Sequence, residues 1–129
     1  MDERTRDHLR TAHANREYAL TILQDENATT TQLNWAAVAA FYAAMHAINA
    51  YLWELARLEP ANHRERLDIV LRWPALQPIL ASYEALFTFS IRARYEPGYA
   101  MRRLRLNTMV NGHLIRIIAT IERELPDDE

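Results

Sequence analysis

TQLNWAAVAAFYAAMHAINAYLWELAR, residues 31–57, is the stretch whose reading decides the fold. At about 100° per residue, Phe41, Met45, Ile48 and Leu52 fall on one stripe, and Trp35, Tyr42, His46, Asn49 and Trp53 on the stripe beside it. Ala36, Ala39, Ala40, Ala43, Ala44, Ala47 and Ala50 fill the opposite side. A helix that is apolar all round until Glu54 belongs in an interior, and its alanine side lets a neighbouring helix approach closely. Into this rod the sequence places His46 and Asn49, one turn apart, and the question of function begins with them.

Working outward, Glu3 to Asp25 reads as a first helix, with Leu9, Ala12, Arg16, Ala19, Ile22 and Leu23 near one face. After the polar loop 26–30, Thr30 or Thr31 is placed to cap the central helix, which is expected to end near Leu58 because Pro60 cannot donate a backbone hydrogen bond. Asn62 followed by Glu65 resembles a capping box that opens a short third helix, turning His63 inward with Leu67 and Val70. Pro74 suits the first position of a fourth helix, whose inward spacing runs from Leu76 through Tyr83 and Phe87 to Arg94. Glu96-Pro97-Gly98 marks a turn, and a last helix from Ala100 to Leu125 is expected to bury Leu106, Val110, Leu114, Ile117, Ile118 and Ile121. The acidic end PDDE is expected to fray. No segment alternates at period two, so the expectation is an all-α, up-and-down bundle of four to five helices, one domain over residues 1–129.

A chain of 129 residues buries a core without staples. The absence of cysteine removes thiolate metal sites, disulfide frameworks and cysteine nucleophiles. The charged start MDERTRDHLR is no secretory signal, and the longest apolar run is better explained as core than as a membrane span, so a cytoplasmic protein without a membrane partner is expected. No histidine or carboxylate pair stands at ligand spacing on an inward face and no glycine-rich phosphate loop exists, so neither metal nor cofactor is expected. The net charge of −2 makes no global demand for nucleic acid. All fifteen basic residues are arginine, whose fork suits phosphate, although coding bias produces the same preference. Locally, Arg92, Arg94, Arg102, Arg103, Arg105 and Arg116 face only Glu96, a basic patch in a mildly acidic chain.

Three separated motifs, FYAAMHAINAYLWE, then NHRERLD, then SIRARY before a turn and a closing helix, resemble the HEPN helical domains of prokaryotes from about Asn34 onward. The resemblance implies a helical bundle that pairs as a homodimer. It further implies a metal-independent endoribonuclease, or an RNA- or nucleotide-binding component, of a toxin-antitoxin or defence system, with a cognate antitoxin or nucleotidyltransferase-like protein as partner. The alternative is a non-catalytic HEPN dimer acting as a partner-binding or structural module. The family's signature is an arginine separated by roughly four to six residues from a histidine near the start of the last helix. Here His113 has Leu106, Asn107 and Thr108 at those positions, and Arg105 is one step too far, about 80° round an α-helix from it. The pairs Arg57–His63 and Arg6–His13 fit the spacing at a rate that chance alone supplies.

A different constellation is therefore the expected site: His46, His63 and Arg94 as catalytic groups, with Asn49, Arg64, Arg66, Tyr95, Arg102 and Arg105 binding RNA or nucleotide. Metal-free RNA cleavage needs a base for the ribose 2′-hydroxyl, an acid for the leaving oxygen and positive charge for the phosphate. Histidine serves either proton role near neutrality and arginine holds phosphate by its fork. Each residue has a plainer role as well. His46 is then a core histidine bonded to Tyr42, Tyr51 or a carbonyl, Asn49 a bridge between helices, His63 the dressing of a helix start and Arg94 a partner of the last carbonyls.

Overall fold

The protein, seen as a computed structural model, is described over residues 1–127; Asp128 and Glu129, the last two of the PDDE end, lie outside the described residues. It is an all-helical bundle with no strand among the described residues. Helix α1 (Glu3–Gln24) starts at Asp2, whose carboxylate accepts from the Arg4 N–H. Helix α2 (Thr30–Ala56) is capped one residue earlier than expected. Thr29 accepts from the Gln32 N–H while the Gln32 side chain accepts from the Thr29 N–H, closing a capping box. It stops when Arg57 turns left-handed at φ 54°, before Pro60 is reached.

Helix α3 (His63–Arg72) opens on Asn62, whose side chain accepts from the Glu65 N–H, as expected. The return bond differs, since Glu65 accepts from the Ala61 N–H rather than from Asn62. A 3-10 segment (Pro74–Ile79) carries Pro74 and Pro78 and leads into α4 (Leu80–Tyr95). The closing helix is not uniform. Helix α5 (Arg103–Thr108) runs through a π segment (Met109–Leu114) into α6 (Ile115–Glu124).

The central helix is the hub that its sequence implies. Ala36, Ala40, Ala43, Ala44, Ile48, Ala50 and Leu52 have no exposed surface. The α1–α2 pair makes the most extensive contact in the molecule, and α1 presents its own small residues, Ala12 and Ala19, to it. On its other sides α2 packs against α4 and α6. Leu106, Val110, Leu114, Ile117 and Ile121 of the closing helix are all sealed, and Ile118 is half-buried. Among the described residues, no helix is long and apolar enough to cross a membrane.

One side chain of α2 fixes the link into α5. Asn34 donates from Nδ2 to the Tyr99 carbonyl at 2.9 Å and accepts at Oδ1 from the Met101 N–H at 2.8 Å. Asn34→Ala is expected to cost about 1–3 kcal/mol by stripping two partly buried backbone groups of their partner. Urea denaturation measures it, and Asn34→Asp, which keeps only the acceptor, should fall in between.

Candidate functional site

The polar residues expected inside the bundle meet where α1, α2, α3 and α4 come together. Arg66 is 3 % exposed and Asn49 5 %. Arg66 donates from Nε to Asn49 Oδ1 at 3.0 Å and from a terminal nitrogen to the Tyr83 hydroxyl at 3.3 Å. A guanidinium can only donate, so Asn49 must turn its oxygen to Arg66 and its amide NH2 away. No carboxylate among the described residues lies within ion-pair distance of Arg66. A buried cation held by neutral oxygens alone has its charge left over for a further partner.

His63 sits beside it at the start of α3. Its ring stacks on Phe87 at 3.4 Å between centroids, 3° from parallel, and its Nδ1 is 2.9 Å from the Tyr83 hydroxyl. Tyr83 already accepts from Arg66, and its one proton has His63 Nδ1 to go to, so the neutral imidazole carries its own proton on Nε2. Burial, and after it the charge of Arg66, holds the His63 pKa below its ordinary value; burial likewise raises that of Tyr83, with Arg66 opposing.

His46 is positioned from the other direction, by α1. Its Nδ1 is 3.0 Å from Nδ1 of His8, whose Nε2 is 3.1 Å from Glu59 Oε1. Glu59 also accepts from Arg4, chiefly through which its pKa is lowered, so it is an ionised acceptor. Burial is the first cause that lowers the pKa of both histidines; His46 is further lowered by His8 and then by Arg66, against Glu59. Both rings are therefore neutral near neutrality. His8 must then donate from Nε2 to Glu59 and accept at Nδ1, so His46 donates from Nδ1 and presents an unprotonated Nε2.

No buried side-chain nitrogen or oxygen among the described residues lacks a partner. The atoms without one, His46 Nε2, His63 Nε2, Asn49 Nδ2 and the second terminal nitrogen of Arg66, therefore all reach solvent. These atoms comprise one bare imidazole nitrogen, one imidazole N–H and two further donors, with an uncompensated cation among them.

Of the residues expected in this site, Asn49, His63 and Arg66 are linked through one another and Tyr83, while His46 is bonded to His8 and meets the group through the charge of Arg66. Arg94 is not among them. Its guanidinium lies over Tyr95 at 4.8 Å and Tyr42 at 5.7 Å, and it donates to the Tyr95 hydroxyl at 2.6 Å. The three-four stripe of α4 continues to Arg94, but in the last turn only Ala93 packs against the core, and both Arg94 and Tyr95 are exposed. Arg64 is exposed on α3. His8, Glu59 and Tyr83 complete the arrangement; stepping the α1 stripe back four residues from Ala12 would have found His8. His46 bonds to this histidine from 38 residues away, not to Tyr42, Tyr51 or a carbonyl.

A second polar region lies on the other flank of α4. Two clefts of about 360 and 270 Å³ share Arg102 and Arg105. Phe89, Thr108 and His113 line the larger, Arg92 and Tyr99 the smaller. Arg103, by contrast, is spent on the carbonyls of Leu23 and Asp25 at the end of α1. The expectation that Arg105 and His113 face apart is corrected here. Four α-helical residues overshoot a full turn, and four π-helical ones fall short of it, so across Met109–Leu114 the errors cancel and both side chains enter one cleft. His113 Nδ1 is 3.0 Å from the hydroxyl of buried Ser82, which has no other partner for its proton, so Nε2–H is the free end. Burial and then Arg116 hold this imidazole below its ordinary pKa.

No protein-family model, curated protein or solved structure matches the chain.

Proposed function

We propose that the protein is a HEPN-like, metal-independent endoribonuclease that works as a homodimer, restrained by a cognate antitoxin or nucleotidyltransferase-like partner, with its chemistry at His46, His63 and Arg66. The single observation that carries this reading is the hydrogen-bond geometry of the two rings, His46 Nδ1 against His8 and His63 Nδ1 against Tyr83, which leaves both Nε2 atoms for substrate, with the charge of Arg66 acting on both. His46 Nε2 removes the proton of a ribose 2′-hydroxyl as O2′ attacks the adjacent phosphorus. The bond from phosphorus to the 5′ oxygen breaks, and His63 supplies the proton that oxygen needs. Arg66 and the Asn49 amide hold the charge that builds on the phosphoryl oxygens. The products are a 2′,3′-cyclic phosphate and a 5′-hydroxyl. The general acid is the His63 imidazolium: the negative phosphate offsets the Arg66 repulsion that helps hold His63 neutral, so the bound substrate favours uptake of a proton from water, and transfer of that proton to the 5′ oxygen returns the neutral ring.

The test is incubation of single-stranded RNA with the protein in chelator, with the product ends identified. RNA that stays intact would sink the assignment. The pH dependence has a definite sign. Cleavage falls on the acid side as His46 takes up a proton and on the alkaline side as His63 loses one. Both free-protein pKa values lie below the ordinary 6.5, so the kcat/KM optimum is expected on the acid side of 6.5, with the alkaline limb of kcat shifted upward. A rate that keeps rising above neutrality contradicts the assignment.

The second reading, a non-catalytic dimer that serves as a partner-binding module, is favoured by one observation. Trp35 is 54 % exposed and lines a groove of about 210 Å³ with Tyr18 and Tyr42, an aromatic surface of the kind that proteins use for contact.

A further inference from the structure

We infer that the joined clefts between α4 and the closing helix bind single-stranded nucleic acid, with successive phosphates on Arg102 and Arg105 and a base stacked on the Arg105 guanidinium. Several independent features point the same way. Among the described residues no carboxylate lines either cleft and Arg102 and Arg105 have no acidic partner, so their charge is uncompensated there. Arg92 alone of the lining cations is paired, to Glu96.

The aromatic rings are used in a particular way. Arg105 lies over Phe89 at 4.5 Å and Arg92 over Tyr99 at 4.6 Å. Each ring steadies one face of a guanidinium and leaves the other to the cleft, the kind of planar platform on which unpaired bases stack. Because the two clefts share Arg102 and Arg105, the polar surface is longer than one phosphate needs, while each cleft has room for a nucleotide and not for a duplex.

The region holds rather than cuts. Ser82 fixes His113 with its proton outward, so arginines and imidazole alike present donors. Among the described residues no second imidazole and no carboxylate lines the clefts to act as a base. Donors without a base describe an anion-binding surface, whereas the His46–His63 cluster carries both proton roles. Ser82 and Tyr83 are neighbours on α4, one tied to His113 and the other to His63, so the two regions sit on different flanks of that helix. The binding proposal therefore does not depend on cleavage.

The experiment is a fluorescence-anisotropy titration of a labelled short oligouridylate with the full chain in chelator, across a range of salt, in a His46→Ala background that keeps the RNA intact. Arg102→Ala/Arg105→Ala should weaken binding by about tenfold or more and flatten the log–log salt slope by about 0.7 for each phosphate that is no longer neutralised. Both residues are solvent-facing, and an unchanged melting curve confirms that the variant is folded. Arg123→Ala, at an exposed arginine that lines neither cleft, should leave the oligonucleotide affinity largely intact in the same assay. Unlabelled oligouridylate should compete far better than UMP or inorganic phosphate. Unchanged affinity in the double variant overturns the proposal, as does an equal loss of binding on Arg123→Ala. UMP or phosphate competing as well as the oligomer overturns it too, by reducing the clefts to an isolated anion site.

Discussion

His46→Ala and His63→Ala are each expected to lower RNA cleavage by about 10²- to 10⁴-fold, and the double variant to fall little further. The two imidazoles act on the same bond in one step, so losing either leaves the other without a productive role. Single-turnover cleavage in chelator measures the effect, and additive losses would place the residues in separate processes. His8→Ala should act differently. It leaves both imidazoles in place but removes the acceptor that pins the His46 proton to Nδ1, so the rate falls less and the acid limb of the pH profile moves. Arg66→Lys keeps a charge but loses the fork that engages Asn49 and Tyr83 together, and should behave much more like Arg66→Met than like the native protein.

Ile48→Ala is expected to destabilise the protein by about 2–5 kcal/mol, while Trp35→Ala on the same helix should stay within about 0.5 kcal/mol. Ile48 has no exposed surface and lies in the core on a helix that packs against α1, α4 and α6, so a cavity there has no single neighbour able to collapse into it. Against a typical total of about 5–15 kcal/mol this is a large share. Trp35 is half exposed and removes little from water. Urea midpoints of the two variants settle the comparison. Similar losses for both would mean that the Trp35 face is covered in solution, as by a second subunit.

Much of the fold was legible in residue order because the deciding signals are local and periodic. An all-round apolar helix and an Asn62–Glu65 start placed the hub and α3 close to their observed bounds, whereas Pro74, expected to open the fourth helix, opens a 3-10 segment and α4 begins six residues later at Leu80. The interior polar group was legible in part, for the same reason. A histidine and an asparagine written into an apolar helix must find partners or lose their hydrogen bonds, whereas Arg66 lay outside the inward face drawn for α3 and its burial was not legible in the spacing. Where the reading failed, tertiary context decided. Arg94 shares the spacing of a core stripe but is exposed in the last turn of α4. His8 lay outside the stripe drawn for α1, and nothing in the spacing alone says that an N-terminal helix supplies the hydrogen-bond partner of a residue 38 positions on. Thr29 rather than Thr30 as cap is a shift of one within a run of three threonines, each able to serve. Family membership and activity have no comparable local signal, and remain proposals.

The π turn in the closing helix carries a consequence for how such chains are compared. Seven residues separate Arg105 from His113, yet they span the arc that six would span in an unbroken α-helix. A motif written as a count of intervening residues assumes one winding throughout, so a single inserted residue that the helix absorbs as a π turn hides the pair from any pattern of fixed spacing. The reverse edit is equally informative. Deleting one residue within Met109–Leu114 would restore α winding while leaving the far side of the helix close to its present face, so His113 would stay beside both Arg105 and Ser82 and the pair would then show the fixed spacing. Alignment of this helix by angle rather than by position is therefore the sounder basis for seeking its relatives.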